Sequence, residues 1–203
     1  MKKILIATLT VLFSLLITCS FAPLAGNGIE ITNGVCMMAS VPADSALVVA
    51  YPHDYQLKNT ALPETTYTDA NGNFSLKHGA GPWNLLIYDR TKTYGAFVPI
   101  DYRDSSVGIV DLDSLGYLEG TVAGGIMEII VPGSPFHAFP TTGDRAFSIT
   151  NMPAFTYAFH VVRLILGSCS GGGDCVGLPP PALDTATHTV TVKAGSGTNV
   201  IIP

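Results

Sequence analysis

The chain has few side chains suited to acid–base or metal chemistry, and the sequence does not cluster them. No histidine belongs to a His-x-x-x-His pair or a Cys/His group, the spacings that bring two ligands to one metal ion; the histidines are His53, His78, His137, His160 and His188. No Gly-x-Ser-x-Gly segment, which exposes a nucleophilic serine in many hydrolases, occurs. The sequence therefore predicts no catalytic residue, no metal site and no cofactor.

Two of the four cysteines flank a short glycine-rich stretch. Cys169 and Cys175 enclose "SGGGD", which is flexible enough to bring the two sulfur atoms together. If the protein is exported, we expect a disulfide here that stabilises by about 2 kcal/mol, mainly by closing a loop. The alternative is a metal or redox loop. Cys36 lies in the apolar run "GVCMMASV" and is predicted to be a buried thiol.

Aromatic residues are the best candidates for a ligand surface. Exposed aromatic rings can stack on the apolar faces of sugars. Four tyrosines lie in segments whose composition favours loops: Tyr51, Tyr55, Tyr94 and Tyr102. Trp83, in contrast, opens a strongly apolar segment and is predicted to anchor a core.

Carboxylates concentrate near the middle of the chain, at Asp101, Asp104, Asp111 and Asp113. Calcium prefers several oxygen ligands converging from one loop, so a calcium site at this junction is one interpretation. A solvated linker is the other, and it is the one we favour.

The N-terminus carries the features of an export signal. Lys2 and Lys3 precede an apolar run over residues 4–17, which is shorter than the ~20 residues needed to span a membrane as a helix. The run ends in "LITC", which resembles the lipobox of bacterial lipoproteins, although Thr18 stands where that family prefers Gly, Ala or Ser. The resemblance implies that Cys19 is acylated and anchors the protein to a membrane. An ordinary cleavable signal is the alternative.

The composition favours a folded chain of short strands. Hydrophobic residues make up 47% and charged residues 12%, so the chain can build a core but is poor in the charges that solubilise long surface helices. The net charge of −5, with only 10 Lys and Arg, gives no basic surface for nucleic acid. Nucleic acid is therefore excluded as an expected partner.

Short β-branched and aromatic segments recur along the chain, bounded by Gly, Pro, Asn or Asp. Strands at this spacing predict an all-β sandwich or barrel. The turn at residues 69–72, "DANG", is typical of a hairpin, because Asn and Gly tolerate the positive φ that tight turns require. Residues 156–166 are predicted to form a strand from their β-branched and aromatic content.

One pattern occurs twice. A turn leads into Phe-Ser-aliphatic at residues 74–76 and again at 147–149. A bend then follows, with an aromatic residue nine positions after Phe74 (Trp83) and ten positions after Phe147 (Tyr157). We interpret each copy as a hairpin in which the phenylalanine and the aliphatic residue point inward and the later aromatic anchors the returning strand.

These residues resemble the carboxypeptidase regulatory-like (transthyretin-like) β-sandwich family. The first copy matches the family pattern at Thr68, Asp69, Gly72, Phe74, Leu76, Gly81, Trp83 and Leu85. The second copy matches it at Gly143, Phe147, Ile149, Pro153, Tyr157 and Phe159, with Phe155 where glycine is usual. The resemblance implies two tandem seven-stranded Greek-key sandwiches, and roles in spacing, stabilising or binding.

The sequence thus predicts a signal peptide (1–18), a tether (19–28), a first unit (29–114) and a second unit (115–203). The favoured function is a non-catalytic lipoprotein of the cell envelope that binds, spaces or presents. The outer membrane is its expected location, with which Ser20 is compatible. Its expected partners are the membrane, through the lipid, and a polysaccharide or another envelope protein. The alternatives are a structural subunit or adhesin of a surface assembly, with "TNVIIP" as a donated strand, and a small envelope hydrolase.

Overall fold

The computed structural model describes residues 29–55, 62–101, 104–165 and 182–203. All the regular secondary structure in these residues is β-strand, so the all-β prediction is confirmed. These residues include no helix long and apolar enough to cross a membrane.

The strands of the first unit form two sheets. They are β1 (Ile29–Met38), β2 (Val41–Pro42), β3 (Leu47–Pro52), β4 (Glu64–Tyr67), β5 (Asn73–Gly79), β6 (Trp83–Tyr88), β7 (Tyr94–Ile100), β8 (Ser106–Asp111) and β9 (Asp113–Ser114). Sheet A has the order β8-β1-β5, with β2 paired to the end of β1, and sheet B has the order β4-β3-β6-β7-β9. The chain passes between the two sheets from β2 to β3, from β4 to β5, from β5 to β6, from β7 to β8 and from β8 to β9, as in a Greek-key sandwich.

The second unit repeats this arrangement. Its strands are β10 (Gly116–Val122), β11 (Ile126–Ile130), β12 (His137–Ala138), β13 (Ala146–Met152), β14 (Phe155–Ile165), β15 (Ala182–Val192) and β16 (Gly197–Ile202). Sheet C has the order β13-β10-β16 and sheet D the order β12-β11-β14-β15. In both units the first strand pairs in parallel with the last strand of its own sheet, β1 with β8 and β10 with β16. The C-terminal segment therefore completes its own sheet.

The repeated phenylalanine covers a glycine on the central strand of sheet A and of sheet C. Phe74 is paired with Gly34, and Phe147 is paired with Gly120. A Cβ atom on Gly34 would lie 2.7 Å from the Phe74 ring, and one on Gly120 would lie 3.2 Å from the Phe147 ring. An aromatic ring lying over a strand glycine restores the packing that the missing side chain leaves out. The sequence repeat is thus a repeat of this cross-strand pair. It is not the predicted hairpin, because the two strands of each copy, β5 with β6 and β13 with β14, lie in different sheets.

The second aromatic of each copy closes the bend that precedes it. The Trp83 indole donates to the Gly79 carbonyl at 2.8 Å, and the Tyr157 hydroxyl donates to the Pro153 carbonyl at 2.9 Å. Both rings are buried, and each satisfies its polar group four residues back along the chain. The predicted core position of Trp83 is confirmed.

The core of the first unit lies between sheets A and B and includes Cys36. Cys36 is a free, fully buried thiol, as predicted, and burial raises its pKa to about 12. Because only the thiolate is a good nucleophile, this cysteine is a small core residue and is unreactive in the folded protein.

The glycine of the repeat generates a stability prediction. In Gly120→Ala the new Cβ would lie 1.9 Å from the Val200 carbonyl oxygen, so the strands must separate. We expect a loss of about 1–3 kcal/mol in the free energy of unfolding, measured by urea denaturation.

The matched control is Gly143→Ala, since nothing lies within 4 Å of a Cβ at that glycine. It should change stability by no more than about 0.5 kcal/mol. Equal effects of the two substitutions would contradict the close approach of β10 and β16.

Candidate binding surfaces and the joint between the two units

The central strand of sheet B, β6, is buried on both faces, which a strand in the outer sheet of a single sandwich is not. On β6, Trp83, Leu85 and Ile87 pack into the core of the first unit. Leu86 belongs to the core cluster of the second unit, and Tyr88 packs against the same cluster. The outer face of sheet B therefore forms a joint with the second unit.

Aromatic rings form the apolar centre of this joint. Phe97, on β7, has its ring centroid 5.0 Å from that of Phe155 and 5.1 Å from that of Tyr157. Both partners lie at the start of β14. These separations suit tilted aromatic pairs, which stabilise beyond the area they bury. The core of the second unit thus extends without a break onto sheet B.

Hydrogen bonds surround the aromatic contact and satisfy its polar groups. The buried Asn84 side chain donates to the Gly133 carbonyl at 3.0 Å, and the Gly133 amide donates to the Tyr55 carbonyl at 3.1 Å. The Tyr88 hydroxyl donates to the Asn151 carbonyl at 2.8 Å. Gly133 has a φ of 68°, and a Cβ there would lie 2.0 Å from Asn84 Nδ2, so only glycine fits.

A cleft of about 240 Å³ lies beside the joint. Its polar side chains include His53, Asn84 and His160, and Phe97 and Phe155 form part of its apolar wall. None of the described residues that line it is a carboxylate. Across the described residues, no group of three or more His, Cys, Asp or Glu side chains is placed to hold a metal ion.

The structure brings together two of the four tyrosines predicted to form a ligand surface. Tyr51 and Tyr55 have ring centroids 4.9 Å apart and are half-buried, and burial raises the pKa of Tyr51, with Tyr55 adding to the shift. Tyr94 begins β7 at the other end of sheet B. It lies roughly 16 Å along this strand from Pro99, which is level with Tyr51 across the sheet. Tyr102 lies outside the described residues. Ligand binding by these tyrosines stays a prediction.

The cysteines predicted to carry lipid and the disulfide, Cys19, Cys169 and Cys175, also lie outside the described residues, and both modifications stay predictions. Of the clustered carboxylates, Asp101 and Asp104 are joined by a backbone hydrogen bond, in which the Asp104 amide donates to the Asp101 carbonyl at 3.0 Å. Asp111 and Asp113 are exposed.

Sequence reasoning missed two open grooves. The first has a volume of about 760 Å³ and includes Asn33, Ser75 and Ser106, with Tyr67 on its wall. The second has a volume of about 490 Å³. Its lining includes Glu119, Ser148 and Asn199, with Phe139 on its wall. One signal was available in the sequence: these wall aromatics precede the repeated phenylalanines, Phe74 and Phe147, by seven and eight residues.

No protein-family model and no curated protein sequence matches the chain. Solved structures with a similar fold include the minor pilin GBS52 of Streptococcus agalactiae, at 12% identity and a TM-score of 0.38, covering 85% of this chain and 94% of the pilin. A DUF3823 family protein of Parabacteroides merdae is similar at 12% identity and a TM-score of 0.31, with 82% of each chain covered. The Bacillus anthracis TIE protein is similar at 12% identity and a TM-score of 0.32; 86% of this chain is covered, but only 33% of the TIE protein. The likeness concerns the fold alone.

The buried phenols of the joint generate a pH prediction. Burial raises the pKa of Tyr88 and of Tyr157 above the ordinary value of 10.0, and each is raised further by a neighbouring tyrosine. The unfolded chain therefore releases these protons at lower pH than the folded protein. The stability they contribute is fully present below about pH 10 and is lost as the pH rises towards the folded pKa values.

We expect the free energy of unfolding, measured by urea denaturation, to fall above about pH 10. Tyr88→Phe and Tyr157→Phe should each reduce that slope by up to about 1.4 kcal/mol per pH unit. Tyr117→Phe, at an exposed position, is the control. If neither Tyr88→Phe nor Tyr157→Phe changes the slope, these two phenols are not the cause of the loss of stability at high pH.

Proposed function

We propose that this chain is a non-catalytic, exported lipoprotein of the cell envelope in which two rigidly joined β-sandwiches hold a binding surface away from the membrane. The joint on sheet B is the observation that supports this role. A spacer must transmit position without a hinge, whereas small polar contacts between domains usually permit relative motion. Here Phe97 packs into the core of the second unit, and hydrogen bonds from Asn84 and Tyr88 set the orientation.

The N-terminal sequence supports the anchor. If Cys19 carries a lipid, residues 19–28 connect this lipid to β1, which begins at Ile29. An extended tether of that length reaches at most about 35 Å. The first unit would then lie close to the bilayer, with the second unit held by the joint. Ser20 is compatible with sorting to an outer membrane, and the finer partners proposed are a polysaccharide or another envelope protein.

Scattering in solution tests the rigid joint. In Phe97→Ala combined with Asn84→Ala, the joint loses its central ring and a buried hydrogen bond, at a cost of about 3–5 kcal/mol for the ring alone. We expect small-angle X-ray scattering to show a larger radius of gyration and a flexible particle, while circular dichroism keeps its β signal.

Phe139→Ala is the matched control, because it removes the same side chain from an exposed position. It should leave the scattering curve unchanged. If the unsubstituted protein already scatters as two flexibly linked bodies, the rigid-spacer proposal is wrong.

Intact mass of the protein purified from bacterial membranes tests the anchor. We expect a chain that starts at Cys19 and carries acyl groups, and a gain of about two daltons on reduction if Cys169 and Cys175 are bridged. Cys19→Ala is the control and should remove the acyl mass. An unacylated chain that starts beyond Cys19 would refute the lipid anchor and leave a soluble exported protein.

A further inference from the structure

The two grooves occupy the same place in the two units. Beside the Gly34–Phe74 pair, Asn33 lies opposite Ser75 on the outer face of sheet A. Beside the Gly120–Phe147 pair, Glu119 lies opposite Ser148 on the outer face of sheet C. All four of these polar side chains are exposed. Each groove floor is therefore built one residue away from the same cross-strand pair.

The parallel strand on the other side of the sheet completes each floor. Asn33 is paired with Ser106 on β8, and Glu119 is paired with Asn199 on β16. Both floors thus consist of short amide, hydroxyl or carboxylate side chains in a row across three strands. Such a row presents several hydrogen-bond donors and acceptors at fixed spacing.

One exposed aromatic ring stands on the wall of each groove at an equivalent position. Tyr67 ends β4 and Phe139 follows β12, which are matching edge strands of sheets B and D. Two residues after each ring, the backbone amide donates to the residue before the repeated phenylalanine: Asp69 to Asn73 at 2.8 Å and Thr141 to Ala146 at 2.9 Å.

These two rings are also the most exposed aromatic side chains in the described residues. Tyr67 is 65% exposed and Phe139 is 64% exposed, against 42% for Tyr117 and 37% for Tyr94. A single exposed aromatic is ordinary on a protein surface. The same exposed position in two units whose surrounding residues have diverged is not explained by packing, because neither ring is buried in a core.

The chemistry of the grooves fits a sugar polymer. A pyranose offers an apolar face that can stack on an aromatic ring and an edge of hydroxyls that can bond to amide and hydroxyl side chains. Among the described residues, no Lys or Arg lines either groove, so the grooves as described are not suited to phosphate or to an anionic polysaccharide. The floors are side chains on a sheet face rather than free backbone groups, which an added peptide strand would need.

We propose that each unit binds a segment of a neutral polysaccharide in its groove, with Tyr67 and Phe139 stacking on sugar rings. The floor residues Asn33, Ser75 and Ser106 bond to hydroxyls in the first groove. Glu119, Ser148 and Asn199 do so in the second. The grooves thus give the proposed binding surface a location and a class of ligand. The inference rests on the proposed function only in that the protein presents these grooves at the cell envelope.

Affinity electrophoresis of the full mature protein tests the grooves. Native gels containing one soluble neutral polysaccharide each, hydroxyethyl cellulose, glycogen, dextran, galactomannan or xylan, should show retardation with at least one polymer. Tyr67→Ala and Phe139→Ala should each weaken binding to that polymer by about tenfold, the cost of removing a central aromatic contact. The double variant should abolish the retardation.

Two further variants separate stacking from a structural effect. Tyr67→Phe and Phe139→Tyr keep an aromatic ring and should keep the retardation. Met127→Ala removes an exposed apolar side chain that is not among the described residues lining either groove, and it should also keep the retardation. Urea denaturation midpoints confirm that each variant is folded.

The proposal is overturned if no polymer retards the protein, or if Met127→Ala weakens binding as much as the groove variants. It is also overturned if the groove substitutions instead abolish concentration-dependent association with a protein, since the grooves would then be a protein interface. Failure here leaves the rigid joint standing. If scattering shows a flexible particle but the groove substitutions still remove retardation in the gel, the rigid-spacer proposal is wrong and the polysaccharide site stands.

Discussion

The packing of Phe97 against Phe155 and Tyr157 is the contact on which the architecture of this protein depends. It converts the outer face of sheet B from a solvent-facing surface into an internal layer. Because that face is apolar, the first unit on its own would expose Leu86 and Phe97 to water. The free-energy cost of this exposure is proportional to the apolar area exposed. The second unit removes that cost, and in doing so it loses the freedom to rotate on the first.

The polar groups of the joint give this apolar contact one orientation. Apolar burial is not directional, so ring packing alone would permit several arrangements. The hydrogen bonds of Asn84, Tyr55 and Tyr88 to backbone groups of the second unit are satisfied in the observed arrangement. Gly133 makes this geometry possible because a side chain there would collide with Asn84. The joint therefore combines an apolar driving force with polar specificity.

Much of each sandwich could be predicted from the sequence. A turn forms at Asp69 as expected, with its carboxylate accepting from the Asn71 and Asn73 amides at 2.8 Å each. The predicted hairpin is wrong, because the strands that this turn joins, β4 and β5, lie in different sheets and do not pair. Trp83 and Cys36 are buried as expected. The strand predicted over residues 156–166 is β14, Phe155–Ile165. The candidate ligand surface was predicted less well: Tyr51 and Tyr55 meet at the joint, Tyr94 lies at the far end of the sheet, and the grooves beside Tyr67 and Phe139 were missed.

Local pattern was sufficient for the strands, the turns and the repeated Phe-Ser-aliphatic element, because alternation and turn chemistry involve residues only a few positions apart. It could not reveal that Gly34 and Gly120 lie under the repeated phenylalanines, since each pair joins strands separated by other elements. It also could not reveal that Leu86 and Phe97 belong to the core of the other unit, because an apolar residue has the same sequence signature whichever core it enters. Those long-range choices were made by the tertiary structure, through the shape of the surfaces that the folded units present to each other.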